Sequence, residues 1–119
     1  MGSLRTVGLS AAAVFSLAAC TTKPPPIASG LPSNIQDAQQ AFSERVRTRF
    51  PVGSAETDLR AELQRQRFTI RTAGANRAPY QFSAIVDIPG LCRQTWVILW
   101  STQTNQITSI AGDYSQICL

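Results

Sequence analysis

The spacing of apolar residues changes once along this chain, near Phe68, from the period of a helix to the period of a strand. Between residues 33 and 67 apolar side chains recur every three to four positions, and from residue 68 onward they alternate with polar ones. Helices that precede a run of strands indicate an α+β fold. We therefore predict two N-terminal helices packed on one face of a three- to four-stranded antiparallel β-meander.

Both predicted helices are amphipathic and have recognisable ends. The first begins at Ser33, since Ser33-x-x-Gln36 is a capping-box pattern, and Pro51 ends it. Ser54 is the expected cap of the second helix, which ends around residues 65–67. The apolar faces are Ile35, Ala38, Phe42, Val46 and Phe50 in the first helix and Ala55, Leu59 and Leu63 in the second.

The alternating part of the chain predicts the strands of the sheet. They are expected at residues 68–72, 80–88, 94–101 and 106–113. Trp96 and Trp100 share one face of the third strand and are expected in the core, covered by the helices. Val97 and Leu99 lie on the other face, which would be a candidate protein-binding patch if it were exposed.

The N-terminal residues have the pattern of an export signal. Arg5 precedes an apolar run at residues 7–19, which is shorter than the roughly 20 residues of a membrane-spanning helix. The run ends in Leu17-Ala18-Ala19-Cys20, which resembles the lipobox of bacterial lipoproteins. The resemblance implies that residues 1–19 are a signal peptide that is removed, and that Cys20 carries a diacylglycerol and an acyl group such as palmitate.

The residues after Cys20 suggest a destination and a tether. Thr21 stands where an aspartate would favour retention in the inner membrane, so the resemblance to Gram-negative lipoproteins implies the outer membrane, with the domain facing the periplasm. Residues 20–32 are proline-rich and are predicted to be the lipidated cysteine and a semi-stiff spacer. Residues 33–119 are predicted to form the small α+β periplasmic domain.

Three cysteines in an exported chain leave one unpaired unless one has another role. If Cys20 carries lipid, Cys92 and Cys118 remain and are expected to form a structural disulfide in an oxidising compartment. With a turn at residues 102–105, position 92 lies opposite about position 115, close to Cys118. The alternative is a redox-active pair, which normally has a Cys-x-x-Cys-like spacing that these two positions lack.

The absence of histidine excludes Ser-His-Asp and Cys-His catalysis and every histidine-ligated metal site. Asp87 and Asp113, at strand ends, are the remaining candidates for a catalytic carboxylate pair of a hydrolase. The sequence has neither a glycine-rich phosphate loop nor a metal-ligand spacing. We therefore expect a protein that is not an enzyme and needs no cofactor or metal.

Arginines concentrate between residues 45 and 77 and suggest an anionic partner, because the guanidinium group pairs well with phosphate and carboxylate. The alternative is that they form the solvated faces of two amphipathic helices. An envelope protein or an anionic lipid headgroup is the expected partner besides the membrane itself, and the predicted compartment excludes nucleic acid. The candidate binding residues are Arg45, Arg49, Arg60, Arg65 and Arg67.

The segment 52–63, Val-Gly-Ser-Ala-Glu-Thr-Asp-Leu-Arg-Ala-Glu-Leu, lies between a helix and a meander and resembles the SmpA/OmlA (BamE-like) lipoproteins. The run 63–68 departs from the Leu-Gly-x-Pro that usually closes their second helix. The resemblance implies a lipid-anchored binding or scaffolding module, with a role in outer-membrane assembly or integrity. The alternative function is a periplasmic inhibitor or immunity protein directed against a hydrolase or toxin.

Overall fold

The structure is a computed structural model that describes residues 23–119, and it confirms the α+β fold with the helices preceding the strands. Neighbouring strands are antiparallel and lie in the order in which they occur in the chain. Short 3-10 turns occupy Pro26–Ala28 and Ala75–Arg77. The elements are α1 (Ile35–Arg49), α2 (Glu56–Arg65), β1 (Thr69–Thr72), β2 (Phe82–Ile88), β3 (Cys92–Gln103) and β4 (Gln106–Cys118).

The hydrophobic core lies between the two helices and one face of the sheet. The ring of Trp96 meets Phe42 edge-on at 5.0 Å and stacks on Tyr114 at 3.9 Å between ring centres. Trp96 and Trp100 are 4% and 0% exposed, which confirms that both belong to the core. The largest fully buried side chains come from α1, α2, β3 and β4: Trp100, Phe42, Leu59, Leu63, Ile98, Ile107 and Val46.

Helix α1 approaches β4 closely at Gly112. A Cβ atom at this position would lie 2.9 Å from Cδ1 of Phe42 and 3.0 Å from Cγ2 of Val46, well inside ordinary van der Waals contact. A glycine inside a strand commonly marks such an approach. Gly112 therefore sets the distance at which α1 packs on the sheet.

Residues 25–31 pack against the domain, which differs from the predicted boundary at Ser33. Ile27 and Ala28 are 5% and 2% exposed and belong to the core. The amide of Ile27 donates to Oε1 of Gln66 at 2.9 Å, and Nη1 of Arg45 donates to the carbonyl oxygen of Ile27 at 3.1 Å. The proline content of this segment predicts a spacer. Its few apolar side chains are nevertheless enough to pack it against the helices.

The caps of the helices also differ from the sequence-based expectation. Asn34, rather than Ser33, caps α1, because its Oδ1 accepts a hydrogen bond from the amide of Asp37 at 3.1 Å. The N-cap of α2 is Ala55, and the hydroxyl of the predicted cap Ser54 donates instead to the carbonyl of Pro51. In both cases the helix begins one residue later than its predicted cap implies.

Helix α2 ends in a Schellman motif. The amide of Arg67 donates to the carbonyl of Gln64 at 3.0 Å, and the amide of Phe68 donates to the carbonyl of Leu63 at 2.9 Å. Arg67 has φ 68°, a left-handed conformation that is usually taken by glycine at this position. The chain therefore holds an arginine where backbone geometry favours a glycine.

The β3–β4 hairpin brings Cys92 and Cys118 directly opposite each other, and the predicted disulfide joins them with an S–S distance of 2.03 Å. The register differs from the expectation that position 92 lies opposite 115. The turn consists of Thr104 and Asn105, both with positive φ, and a bulge near residues 101–102 shifts the pairing further.

The second face of the sheet is buried at its centre. Val97 and Leu99 are 4% and 6% exposed. Arg77, in the connection between β1 and β2, pairs with Asp113 of β4 at 3.2 Å, so its side chain crosses β3 on this face. The prediction of a protein-binding patch at Val97 and Leu99 is therefore wrong, because this part of the face is not exposed.

Candidate functional site

Arg45 holds the N-terminal segment in place. Its Nη1 donates to the carbonyl oxygens of Ile27 and Ser29, and Gln66 binds the same segment from α2. Hydrogen bonds from a charged donor to carbonyl oxygens are among the stronger ones in proteins. The structure thus gives Arg45, a candidate for binding an anionic partner, a role inside the fold.

Arg60 covers one edge of the hydrophobic core. Its guanidinium lies 4.6 Å from the ring centre of Phe82 and 5.6 Å from that of Trp100, and it pairs with Glu56 at 3.2 Å. Oε2 of Glu56 also accepts a hydrogen bond from Nε1 of Trp100 at 2.8 Å. The guanidinium of Arg60 is already engaged in these cation–π and ionic contacts. Arg60 therefore does not share a site with the other candidate arginines.

Arg49 and Arg65 flank Glu62 on the surface between the helices. Nε of Arg65 donates to Oε2 of Glu62 at 2.9 Å, and Nη2 of Arg49 lies 3.9 Å from Oε1 of Glu62. The hydrogen bond from Arg65 and a second one from Gln66 lower the pKa of Glu62. The side chains of Arg49 and Arg65 are 57% and 70% exposed, so both remain accessible to a partner.

A cleft of about 410 Å³ opens beside these arginines, at the end of the sheet where the described chain begins. Arg67 lies in its wall, and among residues 23–119 it makes no ion pair. The lining joins the N-terminal segment, the end of α2 and the end of β2: Lys23 to Pro26, Arg65 to Arg67 and Val86 to Pro89. Basic groups from two distant parts of the chain therefore meet where residue 23 leaves the domain.

Exposed apolar side chains lie at the same end of the sheet. Leu91, two residues after Pro89 in the cleft wall, is 78% exposed, and Ile117 is 70% exposed. The amide of Leu119 donates to the carbonyl of Leu91 at 3.0 Å, beside the disulfide. We define the exit surface as Lys23, Arg65, Arg67, Leu91, Ile117 and Leu119.

The sequence pattern does not single out the apolar part of the exit surface. The fourth strand is predicted to end at residue 113, so Ile117 and Leu119 lie beyond it, and Leu91 lies in a predicted turn. Extending the pairing of the third and fourth strands as far as the two cysteines would have placed all three side chains together.

Asp87 and Asp113 do not form a carboxylate pair. Asp87 is on β2 and accepts hydrogen bonds from Thr95 at 2.7 Å and Arg93 at 3.1 Å, and the Thr95 bond is the main cause of its lowered pKa. Asp113 is on β4 and binds Arg77. Strand β3 separates them, which places their backbones about 10 Å apart or more. Within residues 23–119, no cluster of three Cys, Asp or Glu side chains forms a metal site.

A second cleft, of about 340 Å³, lies between the N-terminal segment and the sheet. Gln94, Trp96, Tyr114 and Gln116 contribute to its wall. Among the described lining residues only Tyr114 ionises, and burial raises the pKa of its hydroxyl further above neutral pH. This cleft offers hydrogen-bonding groups but no proton donor or acceptor suited to catalysis near pH 7.

The lipobox residues Leu17, Ala18, Ala19 and Cys20 lie outside the described residues, so lipidation stays a prediction. Neither helix within residues 23–119 is long and apolar enough to cross a membrane. The chain matches no protein-family model, and comparison with curated proteins and with solved structures finds no match.

Proposed function

We propose that the protein is a lipoprotein of the bacterial outer membrane, anchored through Cys20, whose domain faces the periplasm and acts as a non-enzymatic binding or scaffolding module. The observation that carries this proposal is the sequence Leu17-Ala18-Ala19-Cys20 at the end of an apolar run too short to span a membrane. Thr21 in place of aspartate supports the outer rather than the inner membrane.

The cysteine chemistry supports an exported protein. Disulfides persist in oxidising compartments such as the periplasm and are rare in the cytosol. Cys92 and Cys118 are joined across two paired strands, and Cys20 is the third cysteine of the chain. A lipid thioether gives that third thiol a role.

Two observations favour binding over catalysis. The chain contains no histidine, and its carboxylates at Asp87 and Asp113 are held apart, each bound by its own arginine. A general acid at neutral pH needs a raised pKa, whereas the pKa of Asp87 is lowered. The SmpA/OmlA resemblance makes outer-membrane assembly or integrity the proposed setting for the binding role.

Metabolic labelling with an alkyne fatty acid tests the anchor. The parent chain should incorporate the label, and a Cys20→Ala variant should not. The matched control is the double variant Cys92→Ser, Cys118→Ser, which should keep the label because those cysteines serve the disulfide. Undiminished labelling of Cys20→Ala would refute the anchor.

Crosslinking in intact cells tests the binding role. The parent chain should capture an envelope protein of the outer membrane. The captured amount should fall when the lipid anchor is removed. Capture of a periplasmic hydrolase or a toxin, with inhibition of that protein in a purified assay, would replace the scaffolding role with that of an inhibitor or immunity protein.

A further inference from the structure

We propose that the exit surface is a membrane-contact surface, which lies on the anionic phospholipid leaflet in which the lipid anchor is inserted. Lipidation of Cys20, which belongs to the proposed function, holds this surface at the bilayer. In this orientation Lys23, Arg65 and Arg67 meet phosphate groups. Leu91, Ile117 and Leu119 enter the headgroup region.

The short distance along the chain from the anchor to the packed domain supports this orientation. Lys23 follows Cys20 by three residues, which span at most about 11 Å when fully extended. The chain is already packed against the domain at Pro25, which is buried. The end of the domain that carries Lys23 is therefore held within about 11 Å of the lipid surface, roughly one to one and a half Debye lengths at physiological ionic strength.

The side-chain charges at this end are predominantly positive. Glu62 is offset by both Arg49 and Arg65, and Asp87 is offset by Arg93. Arg67 adds a cation that pairs with no acidic group among residues 23–119. Basic groups close to an anionic leaflet each contribute to binding, and the effect falls off within a Debye length.

The apolar side chains supply the second attraction. Of the five large hydrophobic side chains exposed among residues 23–119, three belong to the exit surface, and Val52 and Ile35 lie elsewhere. The disulfide and the bond between the Leu119 amide and the Leu91 carbonyl hold two of these side chains together. An apolar group flanked by cations is the combination found in proteins that bind membrane interfaces.

The backbone at Arg67 provides a variant that separates binding from folding. Its φ of 68° is a conformation that glycine adopts without strain and that an arginine side chain disfavours. An Arg67→Gly variant therefore removes the charge and should be no less stable than the parent in urea. A loss of membrane binding in this variant is then a loss of the contact and not of the fold.

The test uses the mature chain with Cys20→Ser, so that no acyl chain attaches, and measures co-sedimentation with vesicles. It should bind vesicles that contain one quarter phosphatidylglycerol more tightly than vesicles of phosphatidylcholine alone. Arg67→Gly should lower the partition coefficient about fivefold. Leu91→Ser should lower it about tenfold.

Matched controls come from the opposite end of the molecule. Val52 is 66% exposed beside Gly53, whose amide binds the carbonyl of Ile107, and Arg47 lies in the last turn of α1. Val52→Ser and Arg47→Gln should leave the partition coefficient unchanged. Equal losses in these controls, or equal binding to both vesicle types, would overturn the proposal.

Failure of this proposal can be told apart from failure of the anchor. Loss of fatty-acid labelling in Cys20→Ala together with no vesicle binding by the unlipidated chain would refute the membrane-contact surface but leave the lipoprotein assignment intact. Persistent labelling in Cys20→Ala would refute the anchor whatever the vesicles show. If Arg67→Gly abolishes capture of an acidic protein and leaves vesicle binding unchanged, the surface binds that protein and the membrane proposal is wrong.

Discussion

Replacing Gly112 with alanine should weaken the domain by forcing α1 away from β4. The added Cβ would meet Cδ1 and Cε1 of Phe42 at 2.9 Å and 3.0 Å and Cγ2 of Val46 at 3.0 Å. The ring of Phe42 has little freedom to move, since it packs at 5.0 Å against Trp96, which stacks on Tyr114. The helix must therefore shift by several tenths of an ångström.

The size of the effect follows from two opposing contributions. Overpacking of a core costs about 1–3 kcal/mol. Removing a glycine from a strand interior returns about 0.5–1 kcal/mol, because the unfolded chain loses conformational freedom. With the middle of each range, the net loss in the free energy of unfolding should be about 1 kcal/mol. For a domain of this size it lowers Tm by roughly 4–8 °C.

Urea unfolding followed by tryptophan fluorescence measures this loss, and a double-mutant cycle tests its cause. Phe42→Leu alone creates a cavity and destabilises the domain, but it also removes ring atoms that the methyl group added by Gly112→Ala would touch. The combined variant should therefore be less destabilised than the sum of the two single variants, by at least about 0.5 kcal/mol. Strict additivity, or a Gly112→Ala protein as stable as the parent, would refute the close packing of α1 on β4.

Three further predictions concern contacts that hold the domain together. Arg45→Ala should lower the free energy of unfolding by about 1.5–3 kcal/mol and speed hydrogen exchange at Ile27, measured by mass spectrometry. Cys92 and Cys118 are 26 positions apart, and replacing both with serine should lower the free energy of unfolding in urea by about 3–4 kcal/mol. A loss below about 1 kcal/mol would contradict this. The pKa of Glu62 is lowered in the folded state, so its contribution is present above the unfolded pKa of about 4.3 and is lost as pH falls through the folded pKa. Urea unfolding of Glu62→Gln should accordingly depend less on pH below about pH 5 than unfolding of the parent.

Local periodicity was enough to predict the order of the elements. Both helices and all four strands depend on apolar spacing within short windows, and the predicted and observed ranges agree for most of each element. The exceptions are contacts between distant parts of the chain. Ile27 is buried where Arg45 of α1 and Gln66, which caps α2, bond to its backbone, and no local pattern reports this.

The register of the β3–β4 hairpin shows a second limit. The sequence predicts that Cys92 and Cys118 approach each other, but it does not predict that they lie directly opposite. The two-residue turn at Thr104 and Asn105 places a β-branched side chain at positive φ, which turn propensities do not favour. Tertiary contacts fix this turn, such as the bond from the amide of Thr57 to Oδ1 of Asn105 at 3.2 Å.

The candidate arginines illustrate why composition indicates a basic region but not a site. All five are close in sequence, but Arg45 and Arg60 are drawn inward by acceptors or rings elsewhere in the chain, at Ile27 and Phe82 for example. Arg65 and Arg67 stay at the surface, where they line one cleft with Lys23, at the end of the sheet that also carries the exposed Leu91 and Ile117. The exit surface is assembled by the fold from four separate segments, so no single window of sequence contains it.

Arg67 is the residue at which stability and the proposed membrane contact make opposite demands. A Schellman motif with glycine at this position would relieve a backbone strain of about 1 kcal/mol, and the closing pattern Leu-Gly-x-Pro would provide it. This chain instead has Arg67, whose guanidinium lines the cleft next to Lys23. The chain keeps an exposed, charged side chain at a strained backbone position. This points to a function of the side chain itself rather than of the turn. If the charge serves the membrane contact, Arg67→Gly changes urea stability and vesicle binding in opposite directions, a result that a purely structural arginine would not give.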